Sequence, residues 1–148
     1  MVGPEIDDVL LDCQSLVGEL NLMPHVEFLG RVPKSQIPEL GSRCDIFLNP
    51  TFVDNTPVST VEAMAMGMCV VATTAGGLPY LLENEKTALL VAPGDEVAMA
   101  NAILKILGNP ALGERLSRNA HAMAKQMDWR TVTPKWVDII QSVARYAS

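Results

Sequence analysis

Short apolar runs alternate with segments of helical periodicity along most of the chain. The apolar residues from Ile6 to Leu20 recur at helical spacing, whereas "HVEFLG", "CDIFLNP", "MCVVATT" and "TALLVA" have the length of buried strands. A further helix is predicted in "PVSTVEAMAMG", ending near Gly67, and another after Asp95, which has the position of an N-cap. Apolar strands that alternate with helices predict an α/β fold, a Rossmann-like parallel sheet with helices on both faces. Ligands are then expected at the carboxyl ends of the strands.

Further helical segments are predicted elsewhere in the chain. "SQIPELGSR" predicts a short helical or turn segment, and two helices are expected near the end of the chain, over residues 111–127 and 133–147. The helix after the predicted N-cap is expected to turn five apolar residues inward: Val97, Ala100, Ile103, Leu104 and Leu107.

Composition narrows the possible partners. The chain has 148 residues, enough for one domain, with 49% hydrophobic residues, 19% charged residues and a net charge of -6. This acidic balance argues against nucleic acid and against an anionic membrane surface as partners. No apolar run approaches the ~20 residues of a membrane span, and no basic-plus-apolar leader is present. We therefore expect a soluble, cytoplasmic protein.

The cysteines and histidines do not suggest a metal site. Cys13, Cys44 and Cys69 are odd in number and lack CxxC spacing, which favours reduced thiols in a core. His25 and His121 have no acidic or cysteine partner at ligand spacing. We expect surface or packing roles for both histidines, and no bound metal.

Polar, Gly/Pro-containing turns follow three of the predicted strands: "GRVPK", "NPTFVDNTP" and "TTAGGLP". These turns are expected to form one rim. A helix that begins near Pro57 or Val58 would direct unbonded N–H groups, from Val58 to about Val61, at the same rim, where they suit a phosphate or carboxylate. Glu62, in the second turn, can accept hydrogen bonds from both hydroxyls of a vicinal diol such as a ribose. Asp54 would lie on the other side of the bound anion.

A plainer interpretation of each feature stays open. Asp54 can be a turn residue, and Glu62 a solvated residue favoured by the helix dipole. Arg31 and Lys34 can be surface charges rather than groups near a base or a phosphate, and "GGLP" can be simple turn chemistry.

Taken together, three stretches resemble a known family. They are "VEFLGRVPKSQIPELGSRCDIFLNP", the long run from "DNTPVSTVEAMAMG" through "VVATTAGGLP" to "AILKIL", and "MDWRTV". They are similar to the carboxyl-terminal, donor-binding domain of the group 1, or family 4, retaining glycosyltransferases, which have the two-domain GT-B architecture. The most specific part is the pair of acids eight residues apart that leads into "EAMAMG" and "GGLP".

The resemblance implies a role for each part of the rim. Glu62 would bind the nucleotide ribose, and Asp54 would be the catalytic residue, in contact with the donor sugar near the reacting carbon. The other implied donor-binding residues, which would hold the base, the phosphates and the sugar, are Gly30, Arg31, Val32, Thr56, Pro57, Val58, Ser59, Gly76, Gly77 and Leu78.

The sequence also departs from the family pattern. Asp54 replaces the usual Glu, which withdraws the carboxylate by about 1.5 Å, and Tyr80 replaces an acid often found after "GGLP". The basic "GR...KG" loop and the strand before it have no counterpart, and "MVGPE" resembles the tail of the second strand. The donor-binding domain is therefore expected to be incomplete at its amino-terminal side, with the acceptor domain absent. In the family strand order 3-2-1-4-5-6, this leaves a gap or a collapsed seam between "HVEFLG" and "CDIFLNP". The exposed strand edges then predict marginal stability or oligomerisation.

The implied function is sugar transfer, with retention, from a nucleoside-diphosphate sugar to an acceptor, in cell-surface polysaccharide or glycoconjugate synthesis. The nucleotide sugar is the substrate, and no cofactor is expected. The activity belongs to the parent enzyme, whereas the isolated fragment is expected to be inactive. A nucleotide-sugar-binding module without catalysis and a GT-B epimerase or hydrolase stay open as alternatives, because fold does not determine reaction.

Overall fold

The computed structural model describes residues 9–146, and the chain forms two compact units, residues 1–40 and 41–148. The strands in the described part are β1 (Ile46–Asn49), β2 (Cys69–Thr73) and β3 (Leu89–Val91). Its α-helices are α1 (Val9–Glu19), α2 (Ile37–Gly41), α3 (Val58–Ala65), α4 (Leu78–Leu81), α5 (Glu96–Leu107), α6 (Pro110–Lys125) and α7 (Trp129–Tyr146).

The described part of the first unit begins with the predicted helix, α1. The helix is followed by a left-handed residue, Asn21, with φ of 56°. The N–H of Asn21 donates to the carbonyl of Gly18 at 3.0 Å, and the N–H of Leu22 donates to that of Val17 at 2.9 Å, as in a common C-terminal cap. Ile6 and the "MVGPE" segment lie outside the described residues.

The prediction of a strand in "HVEFLG" is wrong. Met23–His25 form a 3₁₀ turn, and the backbone is extended at Val26, with φ of -125° and ψ of 123°. Within residues 9–146, residues 26–30 do not pair with any strand. An apolar run becomes a strand only when a neighbour supplies the hydrogen bonds of a ladder, and the periodicity of the run does not reveal whether that neighbour exists. "SQIPELGSR" forms a 3₁₀ turn, Lys34–Gln36, followed by α2, as predicted.

The second unit contains a parallel sheet of three strands in the order β1-β2-β3. All five residues of the central strand β2 are buried, as expected for a strand covered on both faces. Burial of Val70 and Val71 contributes roughly 1.5–3 kcal/mol each. Within the described residues β1 is an edge strand, and its Leu48 is 43% exposed.

Successive side chains of β2 enter two different core layers. Val70 and Ala72 face the layer that contains Met64 of α3 and Ala120 and Ala124 of α6. The opposite layer joins the other β2 side chains to α5 and to the first half of α6 and contains Cys69, Val71, Leu89, Ala102, Ile106, Leu112 and Leu116. The predicted α/β arrangement, a parallel sheet with helices on both faces, is confirmed.

Helix α5 begins where predicted but turns a different face inward. Asp95 is its N-cap, and the carboxylate accepts a hydrogen bond from the N–H of Ala98 at 2.8 Å. The buried residues are Ala102 and Ile106, whereas most of the predicted inward set is exposed: Val97, Ala100, Leu104 and Leu107. Only Ile103 of that set packs partly against the core. Apolar residues occupy almost every side of this helix, so periodicity could not select the face.

The prediction of three core thiols holds for one cysteine. Cys69 is buried, its thiol donates to the carbonyl of Gly113 at 3.2 Å, and burial raises its pKa. Cys44 is exposed and Cys13 is half-buried.

Candidate functional site

The carboxyl ends of the three strands lie at one edge of the sheet because the strands are parallel. Two segments leave this edge towards α3 and α4. We call residues 50–57 the acidic loop and residues 74–77 the glycine turn. The acidic loop connects β1 to α3 and carries Asp54, and the glycine turn connects β2 to α4. The rim that the sequence predicts after these two strands is therefore present in the second unit.

Side-chain hydrogen bonds order the beginning of the acidic loop. The Thr51 hydroxyl donates to the carbonyl of Val53 at 2.9 Å and accepts from the Val53 N–H at 3.3 Å. The N–H of Thr51 donates to the Asn49 side-chain oxygen at 3.3 Å. From the neighbouring strand, the Thr73 hydroxyl donates to the Thr51 carbonyl at 2.6 Å. The loop is thus attached to both β1 and β2 before it reaches Asp54.

The glycine turn packs directly on the backbone of the acidic loop. The N–H of Gly77 donates to the carbonyl of Asp54 at 3.0 Å. A Cβ atom at Gly76 would overlap that carbonyl, and one at Gly77 would overlap the carbonyl of Asn55. Gly76 also has φ of 53°, in the left-handed region. The two glycines are therefore needed for the close approach of the two segments. Their role is not limited to forming a turn.

Helix α3 begins with Pro57 as its N-cap residue, without a side-chain cap. The N–H groups of Thr60 and Val61 both approach the carbonyl of Pro57, at 3.1 and 3.4 Å. The predicted run of unbonded N–H groups from Val58 to Val61 is therefore too long. Of these four N–H groups, those of Val58 and Ser59 have no acceptor among the described residues.

The two acids occupy the predicted local positions. Asp54 is half-buried in the acidic loop, and Glu62 is half-buried in the second turn of α3. A loop carboxylate, two helix N–H donors and a helix carboxylate thus follow one another along the chain from the acidic loop into α3. Such an arrangement can bind an anion at the helix start and hydroxyl groups on either side of it.

The other predicted contact residues have different surroundings. Thr56 is exposed and Pro57 is buried. The Leu78 side chain is fully buried, and its N–H donates to the carbonyl of Ala75 at 3.1 Å, so Leu78 anchors the glycine turn in the core. Tyr80, in the position of the family acid, is 92% exposed. Ligand contacts by these residues stay predictions.

Gly30, Arg31 and Val32 belong to the first unit. Gly30 has φ of 60°, Arg31 is exposed and Val32 is half-buried. Their role in holding a base stays a prediction, as does the choice between a surface charge and a ligand contact for Arg31.

Sequence reasoning missed two features of the site. Asn49 and Thr60 are buried polar residues that support the acidic loop, and the polar Asn at the end of the apolar run "DIFLN" was the available signal. Beside the loop lies a cleft of about 220 Å³, lined by Pro50, Phe52, Thr73, Ala92, Gly94, Asp95, Glu96 and Met99. Its one aromatic lining residue, Phe52, is 71% exposed and lies against Gly94.

Residues 9–146 contain neither a metal-binding cluster nor a membrane-spanning helix. No group of three His, Cys, Asp or Glu side chains lies close enough together to hold a metal ion. None of the helices in this part of the chain has the length and apolar character needed to cross a membrane.

Comparison with known proteins identifies relatives over most of the chain. The family described as "Glycosyl transferases group 1" matches residues 1–109. The D-inositol 3-phosphate glycosyltransferase of Streptomyces avermitilis is 27% identical over 126 residues, which cover 85% of this chain and 27% of that protein. The phosphatidylinositol N-acetylglucosaminyltransferase GPI3 subunit of Saccharomyces cerevisiae is 27% identical over 140 residues, covering 93% of this chain and 30% of that protein.

Solved structures give the same result. Sucrose-phosphate synthase from Thermosynechococcus elongatus superposes with a TM-score of 0.84 at 28% identity, over 99% of this chain and 38% of that one. Anabaena Alr3699/HepE in complex with UDP-glucose superposes with a TM-score of 0.85 at 28% identity, over 95% of this chain and 40% of that one. The chain thus spans well under half the length of these relatives.

Proposed function

The chain belongs to the group 1 glycosyltransferase family, and on that premise we propose that it is the donor-binding part of a retaining glycosyltransferase. The substrate is a nucleoside-diphosphate sugar, from which the parent enzyme transfers the sugar to an acceptor in polysaccharide or glycoconjugate synthesis. The UDP-glucose complex of the Anabaena relative supports a uridine nucleotide as the first donor to test. No cofactor takes part in this proposal.

The observation that carries the proposal is the order of polar groups along the chain, from the acidic loop into α3. Asp54 is fixed in the acidic loop by the glycine turn, the N–H groups of Val58 and Ser59 follow at the start of α3, and Glu62 lies one turn further on. A nucleotide sugar presents groups of matching type in the order sugar, diphosphate and ribose. The helix N–H groups suit the diphosphate because they combine donors with the positive end of the helix dipole.

Each acid has a separate role in this proposal. Glu62 accepts hydrogen bonds from the two ribose hydroxyls, and Asp54 contacts the donor sugar and stabilises positive charge that develops at the anomeric carbon. Within the second unit, Thr56, Pro57, Gly76 and Gly77 surround the phosphates and the sugar. Phosphate charge that grows on the leaving group is stabilised by the helix N–H groups.

Calorimetric titration with UDP tests these roles. Glu62→Gln should weaken UDP binding at least about tenfold, because an amide loses an acceptor and presents a donor, at about 1.5–3 kcal/mol for each charge-assisted bond removed. Asp54→Asn is the matched control and should leave UDP affinity nearly unchanged. In the parent enzyme the same Asp54→Asn change should lower kcat. Equal weakening of UDP binding by both variants would contradict this division, and unchanged binding in Glu62→Gln would make that residue an ordinary helix residue.

A second candidate function, nucleotide-sugar binding without catalysis, is favoured by one observation. The segments 49–59 and 73–80, which form the site in the second unit, contain no Lys or Arg. Such a site has dipoles but no cation to stabilise the charge of a departing diphosphate. The isolated 148-residue chain is expected to be inactive under either function, so the parent protein decides between them. Binding of UDP by the parent protein, together with no acceptor-dependent release of UDP from UDP-glucose, would favour this second function.

A further inference from the structure

Several polar side chains are buried beneath the acidic loop. Asn49, at the end of β1, is 8% exposed, and Thr60, in the first turn of α3, and Thr73, at the end of β2, are at most 1% exposed. A buried polar group destabilises the fold unless it has a hydrogen-bond partner. The partners of these residues therefore decide how the loop is held.

The Asn49 side chain connects the loop to the helix. Its Nδ2 donates to the Thr60 hydroxyl at 3.3 Å, and its Oδ1 accepts from the Thr51 N–H at 3.3 Å. One amide thus uses a donor towards α3 and an acceptor towards the loop, which neither a carboxylate nor a hydroxyl can do in the same geometry.

The other side of the loop is attached to β2. The Thr73 hydroxyl donates to the Thr51 carbonyl at 2.6 Å, and the Gly77 N–H donates to the Asp54 carbonyl at 3.0 Å. The loop is therefore held by β2 and the glycine turn on one side, and by Asn49 and Thr60 on the other. The Asn49–Thr60 hydrogen bond connects the end of β1, where the loop begins, to α3 through side chains.

We propose that Asn49 is a positioning residue that, through Thr60, fixes the acidic loop relative to the start of α3. Its function is to set the placement of Asp54 relative to the Val58 and Ser59 N–H groups and Glu62. Asn49 itself contacts no ligand. The consequence for nucleotide binding rests on the proposed function, whereas the consequence for loop order does not.

Substitution of Thr60 tests the connection without removing bulk. Thr60→Val replaces the hydroxyl by a methyl group and leaves Asn49 Nδ2 unpaired, whereas Thr60→Ser keeps the hydroxyl. Thr87→Val is the matched control: Thr87 is also buried, and its hydroxyl accepts from the Glu83 N–H at 2.9 Å, within the segment 83–88. All three variants are made in the complete 148-residue chain.

Amide hydrogen exchange is the first measurement, because it requires no ligand. In Thr60→Val, the amides of Thr51, Val53 and Gly77 should exchange about tenfold faster relative to those of Val70 and Val71 in the core strand. Thr60→Ser should restore the wild-type pattern, and Thr87→Val should leave the loop amides unchanged relative to the core. If Thr60→Val accelerates loop and core amides equally, the Asn49–Thr60 pair serves only overall stability and the proposal is wrong.

UDP affinity is the second measurement. Thr60→Val should weaken UDP binding about tenfold at a temperature well below unfolding, because Thr56 and Pro57 of the acidic loop, which are proposed to surround the phosphates, lose their position relative to α3. Thr60→Ser should recover the affinity, and Thr87→Val should leave it unchanged. If the loop amides respond but UDP affinity does not, the network orders the loop without positioning the site, and the proposal fails. If the unmodified chain does not bind UDP at all, the proposed function fails for this chain, and the exchange pattern alone decides the role of Asn49.

Discussion

At the residue scale, the structure explains why an acidic motif and a glycine pair occur together in the sequence. Asp54 would contact a ligand with its side chain, but its backbone carbonyl is in contact with Gly76 and Gly77. The position of the Asp54 carboxylate therefore depends on residues more than twenty positions further along the chain. The sequence alone predicted both motifs at the rim, but not that their backbones contact each other, because a close approach has no periodicity.

Gly76→Ala should destabilise the second unit. A Cβ atom would overlap the Asp54 carbonyl, and the φ of 53° is unfavourable for alanine, so we expect a loss of about 1–3 kcal/mol and a lower Tm. Gly113→Ala is the control, because its Cβ would make ordinary contacts with Ile106 and Cys69 inside α6. That change should be neutral or stabilising. Thermal unfolding followed by circular dichroism measures both, and equal Tm values for the two variants would contradict the role of Gly76.

At the element scale, helices were predicted more accurately than the sheet. The residue at the start of α5 was predicted because an N-cap is a local feature, legible from Asp95 and the residues that follow it. The inward face of the same helix was not predicted correctly, because apolar residues surround the helix axis. Packing against the sheet determines which side is buried. The extended segment at Val26 failed as a strand for a related reason, since strand pairing depends on residues distant in sequence.

Asp95→Ala should cost about 0.5–2 kcal/mol of stability, because the Ala98 N–H loses its acceptor at the start of α5. Asp95→Asn keeps a side-chain oxygen and should cost much less. Chemical denaturation of the two variants gives the comparison. A loss in Asp95→Asn as large as that in Asp95→Ala would indicate that the negative charge at the helix dipole, rather than the hydrogen bond, provides the stabilisation.

At the scale of the whole molecule, neither the net charge of the chain nor the composition of the site favours electrostatic attraction of an anion. The chain has a net charge of -6, and the site segments of the second unit contain no basic residue. A diphosphate would thus be bound by neutral N–H donors on a protein whose overall charge repels it. This differs from recognition by Lys and Arg side chains, which added salt weakens.

UDP affinity should therefore change little with salt, or increase slightly as the repulsion is screened. A suitable range is about 0.01 M to about 0.15 M salt, over which the screening length falls from about 30 Å to about 8 Å. Titration calorimetry at both salt concentrations gives the comparison. A several-fold loss of affinity at the higher salt would show that a cationic side chain takes part. Arg31→Gln would then identify that side chain if it removed the salt dependence.

Helix α6 has a consequence for how the second unit unfolds. Its first half, with Leu112 and Leu116, belongs to the core layer on one face of the sheet, and its second half, with Ala120 and Ala124, belongs to the layer on the other face. Neither layer can lose its packing without exposing part of the same continuous helix. The two faces of the sheet are therefore expected to unfold together as one cooperative unit.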